Sequence, residues 1–321
     1  MHCGLVRSIG VVIVAASLAA AAADYPARPV RVIVPFAPGG GTDLVARLLG
    51  MHLTQRLGQS FVIENRPAGS GIVGADFVAK AQPDGYMLLF AFSSLASSAK
   101  LISKLPYDPI NDFAPITLAT TSPLLLLVHP SIPAGDLKEF IAYVKANPGK
   151  LNYGSSGPGS SPHLATELFM SMAGIQMMHI AYKGIAPAIT AQLSNEVQLS
   201  FTPIAVGLPH VRAGRLRALA SGGLQRSAVV PDIPTLNESG LPGFEVIGWW
   251  GVLAPAKTPR PIIDLLNKEI RAVLDLAEVK RNLTEQGMDP AGDTPEQFAA
   301  LIKSDIEKWG DIGRRLEIKL D

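Results

Sequence analysis

Hydrophobic residues along the chain fall into short runs that alternate between two spacings. Val30 to Pro35 (VRVIVP) is a continuous, largely β-branched run, the pattern of a strand covered on both faces. Gly39-Gly40-Gly41 breaks it, and Leu44, Val45, Leu48, Leu49, Leu53 and Leu57 then recur at helical spacing. A second short strand is predicted from Phe61 to Glu64, a helix near Ala75 to Ala81 after a glycine-rich turn, and a third strand from Tyr86 to Phe92. Strands alternating with helices imply βαβ units and an α/β fold with mainly parallel sheets.

Thr117 to Val128 is a longer apolar stretch, interrupted by Thr120, Thr121, Ser122 and Pro123. That length suits a strand leaving one lobe and entering another. The alternation then restarts, with helices at Asp136 to Ala146, Pro162 to Ala173 and Pro187 to Leu193. Strands lie at Leu151 to Tyr153, Met178 to Tyr182, Val197 to Phe201 and Leu216 to Ala220. Phe244 to Leu253 is a second candidate crossing, and the region from Pro259 is helical, with Thr294 capping a last helix opened by Pro295. The expected organisation is a clamshell: residues 24–121 with 249–321 as an outer lobe, 122–248 as an inserted middle lobe.

The first 23 residues stand apart. Arg7 precedes an apolar stretch from Ile9 to Ala16 and an alanine run ending at Ala23, the parts of a secretory signal peptide. The stretch is marginal for a membrane span, which needs about 20 residues, so cleavage after Ala23 is expected, with an uncleaved N-terminal anchor as the alternative. The single cysteine, Cys3, lies in this segment, so the remainder has no thiol for a disulfide or a metal. Basic and acidic residues number 28 and 27. That balance, with no basic run, argues against nucleic acid or an anionic membrane as partner.

Two loops carry candidate chemistry. Pro35-Phe36-Ala37-Pro38-Gly39-Gly40-Gly41-Thr42-Asp43 joins a buried strand to a helix, where backbone N–H groups and the helix dipole form an anion site without basic side chains. Phe36, Gly39, Gly40, Gly41, Thr42 and Asp43 are candidates; Thr42 or Asp43 is expected to cap the helix, and Asp43 either caps or receives an amino or hydroxyl group. The second loop runs from Gly154 to His163 and offers Ser155, Ser156, Gly157, Ser160, Ser161 and His163. Ser93 and Ser94 end the third strand, while Tyr182 and Lys183 end a middle-lobe strand; Trp249 and Trp250 sit near the second crossing, one expected to wall the cleft and the other to pack in the hinge. Ligands of α/β sheets lie at such strand ends.

Catalytic motifs are set aside. Gly69 to Gly74 fits G-x-G-x-x-G but lacks the acidic residue about 20 positions on, and no P-loop lysine or G-x-S-x-G elbow is spelled. No histidine pair has metal spacing. Neither cofactor, metal nor enzymatic activity is expected.

Many short segments in order resemble the periplasmic receptors of tripartite tricarboxylate transporters, the Bordetella uptake gene family. They include Glu64-Asn65-Arg66-Pro67-Ala68-Gly69, Pro83-Asp84-Gly85-Tyr86, Leu105-Pro106-Tyr107-Asp108-Pro109, Tyr182-Lys183-Gly184, Pro231-Asp232-Ile233-Pro234-Thr235 and Trp250-Gly251. The resemblance implies a type II periplasmic-binding-protein clamshell holding a ligand carboxylate between the two glycine loops. It implies a monomeric receptor in the periplasm that delivers a small organic acid to a membrane permease; the alternative is a sensor component presenting ligand to a signalling partner. It also places Thr202 near the cleft, where the family commonly has aspartate.

Overall fold

The computed structural model describes residues 25–318; the expected signal segment, with Arg7 and Cys3, lies outside them. Strand β1 (Val30–Val34) has three residues fully buried, as its apolar run requires, and pairs in parallel with β2 (Phe61–Asn65) and β3 (Met87–Phe92). Helix α1 (Gly41–Leu57) links β1 to β2, and α2 (Ile72–Ala79) links β2 to β3. A four-residue helix, α3 (Ser94–Ser97), continues directly from β3.

The chain then enters β4 (Phe113–Val128), which belongs to both halves of the sheet. Its first part, to Pro123, pairs antiparallel with β9 (Ile247–Pro255), while Leu124 to Val128 pair antiparallel with β7 (Leu199–Pro203) and β8 (Arg217–Ser221). Those five residues are fully buried, so the apolar run identified in the sequence is the spine of the molecule. The second half holds β5 (Asn152–Ser155) parallel to β6 (Met178–Ala181) and to β7, connected by α4 (Leu137–Ala146), α5 (Ser161–Ala173), α6 (Ile185–Leu193) and α7 (Ile204–Arg212). The order β2-β1-β3-β9-β4-β7-β5-β6 is thus parallel at both ends, with the two long strands antiparallel between them.

β9 also pairs antiparallel with β3, so the chain returns to the first half after Phe244 and completes it. Thr121 faces Trp249 and Ser122 faces Gly248 across the β4–β9 ladder, which brings the two expected lobe boundaries side by side. The C-terminal part packs α8 (Arg260–Leu274), α9 (Ala277–Glu285), the short β10 (Asp289–Pro290) and α10 (Pro295–Arg315) against the first half. Thr294 and Gln297 form a capping box at the start of α10, as the sequence reading requires of Thr294. Hydroxyls along β4 fasten this part: Thr117 donates to Asp293 O, Thr120 to Asp289 O and Ser122 to Gly287 O, at 2.8, 2.8 and 2.6 Å.

Candidate functional site

Four helices begin on one cavity between the two halves of the sheet. Its lining includes Gly40, Gly41 and Thr42 at the start of α1, Pro162 in the first turn of α5, Ile185 at the start of α6 and Pro203 just before α7. Phe36, Ala37, Phe92, Ser156 and Trp250 complete the walls, around about 340 Å³ of space not filled by atoms. Each helix presents first-turn N–H groups that have no acceptor within the helix. The positive ends of four dipoles therefore meet where no basic side chain lines the wall.

The cap expected from Thr42 or Asp43 is corrected. Gly40 is the N-cap residue, without a side-chain bond, and the triple glycine lets the helix start earlier than its hydrophobic pattern. Thr42 Oγ1 instead accepts from Trp250 Nε1 at 3.0 Å. Asp43 is turned inward: its carboxylate accepts from Gly39 N, Arg47 Nε and Asn65 Nδ2 at 3.0, 3.0 and 2.9 Å. Burial works against its charge, but Arg47, the Gly39 amide and Asn65 hold its pKa below the usual carboxylate range. The carboxylate is thereby engaged in shaping the loop.

The serine loop is organised by a stack of rings. The imidazoles of His163 and His179 lie 4.1 Å apart at 14°, with the Tyr153 ring 4.9 Å from that of His179. His163 Nδ1 accepts the Gly159 N–H at 3.1 Å, and His179 Nε2 shares a 2.6 Å bond with Ser155 Oγ, which in turn accepts the Gly157 N–H. Tyr153 donates to Glu167 at 2.5 Å. Burial opposes the charge of Glu167, but the neighbouring His163 and Tyr153 keep its pKa low; burial and then His163 push His179 down to about 4. Ser160 caps α5, accepting from His163 N and donating to Gly157 O. Ser155, Ser160 and His163 thus spend their polar atoms on the loop and on the side chains packed behind it.

Of the residues singled out in the sequence, Phe36, Gly40, Gly41, Thr42 and Ser156 line the cavity. Gly39, Asp43, Ser155, Gly157, Ser160 and His163 lie in the layer that shapes it. Ser93 and Ser161 bond to each other at 2.8 Å. Ser94, at the start of α3, lines a smaller space behind Phe36 and Phe92. Tyr182 donates to Glu196, Lys183 is exposed and contributes its carbonyl to Ala37 N, and Thr202 is fully buried against Ser200 at 2.9 Å.

Trp250 walls the cavity, whereas Trp249 packs edge-on against Phe298 and donates to Asp305 at 2.9 Å. Ala37, Phe92, Pro162, Ile185 and Pro203 were not legible as site residues, being apolar positions marked only by where strands end and helices start. Ser70 was also missed. It adopts a left-handed backbone (φ 57°), its buried hydroxyl has no hydrogen-bond partner among the described residues, and it abuts Gly157 across the cleft. Its neighbours Gly71 and Gly74, read as part of a structural turn, allow close packing on Phe36 and Pro35.

Comparison with known proteins agrees with this architecture. The model of the tripartite tricarboxylate transporter family receptor matches residues 45–318. Protein BugT of Bordetella pertussis is 38% identical over 320 residues, covering 98% of both chains. Among solved structures, R. palustris Rpa4515 with adipate superposes with a TM-score of 0.90 at 35% identity, over 92% of this chain and 99% of that one. MatC from Rhodopseudomonas palustris with bound malate gives 0.87 at 36% identity, over 90% and 99%. With a family model spanning most of its length and relatives this similar from end to end, the chain belongs to the tripartite tricarboxylate transporter receptor family.

Proposed function

We propose that this protein is a periplasmic solute receptor that closes two lobes, 24–121 with 249–321 and 122–248, around a small organic carboxylate and delivers it to a membrane permease. The observation that carries this reading is the convergence of four helix N-termini on a small cavity without charged lining residues. Such a site stabilises an anion by oriented amides and leaves no unpaired basic side chain when empty. Adipate and malate in two relatives support the carboxylate.

The ligand contacts proposed are the amides of Gly40, Gly41 and Thr42 from one lobe and Ser156 with the α5 N-terminus from the other, with Phe36, Phe92 and Trp250 as apolar walls. Engagement of Asp43 by Arg47, Asn65 and Gly39 argues against its receiving a ligand amino group. This favours plain or hydroxylated acids over amino acids. No helix among the described residues is long and apolar enough to cross a membrane.

A thermal-shift screen over mono-, di- and tricarboxylates, amino acids and aromatic acids tests the reading, because a ligand that binds only the folded state raises the melting temperature. Stabilisation by organic acids, absent with their amides, is expected. A screen in which no carboxylate shifts the transition would overturn it.

A further inference from the structure

The two halves of the molecule touch each other through bonds that bypass the cavity. Ser93, where β3 ends, and Ser161, the first residue of α5, share a hydrogen bond of 2.8 Å between their hydroxyls. One turn further along α3, Ser97 Oγ donates to Gly159 O at 3.2 Å. Ser93, Ser97 and Ser161 are each at most 2% exposed. None of these four residues lines the cavity.

The local structure explains why these hydroxyls are free for that task. Ser160, not Ser161, caps α5, so the Ser161 hydroxyl is not needed by its own helix. Gly159 is held by His163 Nδ1 through its N–H, while its carbonyl accepts from Ser97. The Ser93 amide is fixed to Trp249 O at 3.0 Å, so the donor side rests on the β9 ladder. The Ser93 and Ser161 hydroxyls thus sit where one regular element ends and another begins.

We infer that Ser93, Ser97 and Ser161, with the Gly159 carbonyl, form a latch that holds the two lobes closed, and that these serines set how long a ligand is retained without reading which ligand it is. The inference rests on the receptor reading above. When the lobes part, each hydroxyl is hydrated and loses little, so the latch favours the closed form only by the modest net value of buried hydrogen bonds. Its effect multiplies every ligand's affinity by one common factor, since it stabilises the state to which all of them bind.

The test measures dissociation constants and dissociation rates of Ser93→Ala, Ser161→Ala and the double variant for several carboxylates found by the screen. Each single variant is expected to weaken binding by about 3- to 10-fold. The factor should be the same for every ligand and appear in the dissociation rate, and the double variant should lose less than the product of the two single losses. Factors that differ between ligands would show these serines to be ligand contacts and overturn the latch.

Small-angle scattering of the ligand-free chain separates this outcome from failure of the receptor reading. The double variant is expected to be more expanded than the unaltered protein, whether or not any carboxylate is found to bind. Equal dimensions, together with unchanged affinity where a ligand is available, would overturn the proposal.

Discussion

Trp250 and Thr42 are separated by 208 residues and joined by one buried hydrogen bond, from the indole Nε1–H to the threonine Oγ1 at 3.0 Å. The bond ties the crossing strand β9 to the first turn of α1, and Gly41 permits it: a Cβ there would sit 3.0 Å from Trp250 Cζ2. The wall of the cavity and the first turn of α1 are consequently one unit.

Trp250→Phe is expected to keep the fold and weaken carboxylate binding by roughly 5- to 30-fold, since it strips Thr42 of its buried donor and removes part of the wall. The same substitution should abolish most of the ligand-induced change in intrinsic fluorescence, because Trp249 packs on Phe298, outside the cavity lining. Titration calorimetry and fluorescence of the variant check both.

Gly184→Ala should wedge the cleft. Gly184 has φ +135°, and a Cβ would approach Ala37 N, on the opposite side, to 3.2 Å. Strain at that backbone angle adds to the collision across the cleft, so a loss of roughly tenfold or more in affinity is expected. Calorimetry with any ligand from the screen reads it. Affinity equal to that of the unaltered protein would show that the lobes do not close through this contact.

Acidification should destabilise the half of the sheet that holds β5 and β6. His179 has its folded-state pKa lowered to about 4, so above pH 6.5 it is neutral in both states and its contribution is fully present. As pH falls from 6.5 towards 4 the unfolded chain takes a proton that the folded chain resists, and that stability is lost, on the order of 1–2 kcal/mol after allowance for solvent. Urea melts across this window should show the decline, and His179→Gln should flatten it.

Asp43→Ala removes the acceptor of three donors, Gly39 N, Arg47 and Asn65. Arg47 is half exposed, so the ion pair itself is a small part of the loss. A destabilisation of roughly 1–2 kcal/mol is expected, chiefly from the amide and Asn65 bonds. Affinity should fall as well, because the Gly39 to Gly41 turn loses its anchor; chemical melts and calorimetry on one preparation would separate the two effects.

The alternation of strands and helices was legible because β-branched runs such as Val30 to Val34 and helical spacing such as Leu44 to Leu57 are local signals. The two glycine and serine loops were legible for the same reason, as breaks between such runs. Asp43 was not, since capping preference favours a helix start at Thr42 or Asp43, and its actual partners include Asn65 from the next strand. Pro162, Ile185 and Pro203 have no chemical signature, and only the convergence of the helix ends beside them gives them a role; Ala37 has only its place in the loop before α1. The Ser93–Ser161 pair joins residues 68 apart, and only the fold brings them together.

If the proposed attraction for anions comes from helix ends, it has consequences for how ligand arrives. Dipolar fields fade within the first turn of a helix, so they act only on a molecule already inside the cleft and do not steer one from a distance. Mobile ions have little to screen there. A receptor built this way gives up fast electrostatic capture, and in exchange its grip stays nearly constant as the surrounding salt concentration rises and falls.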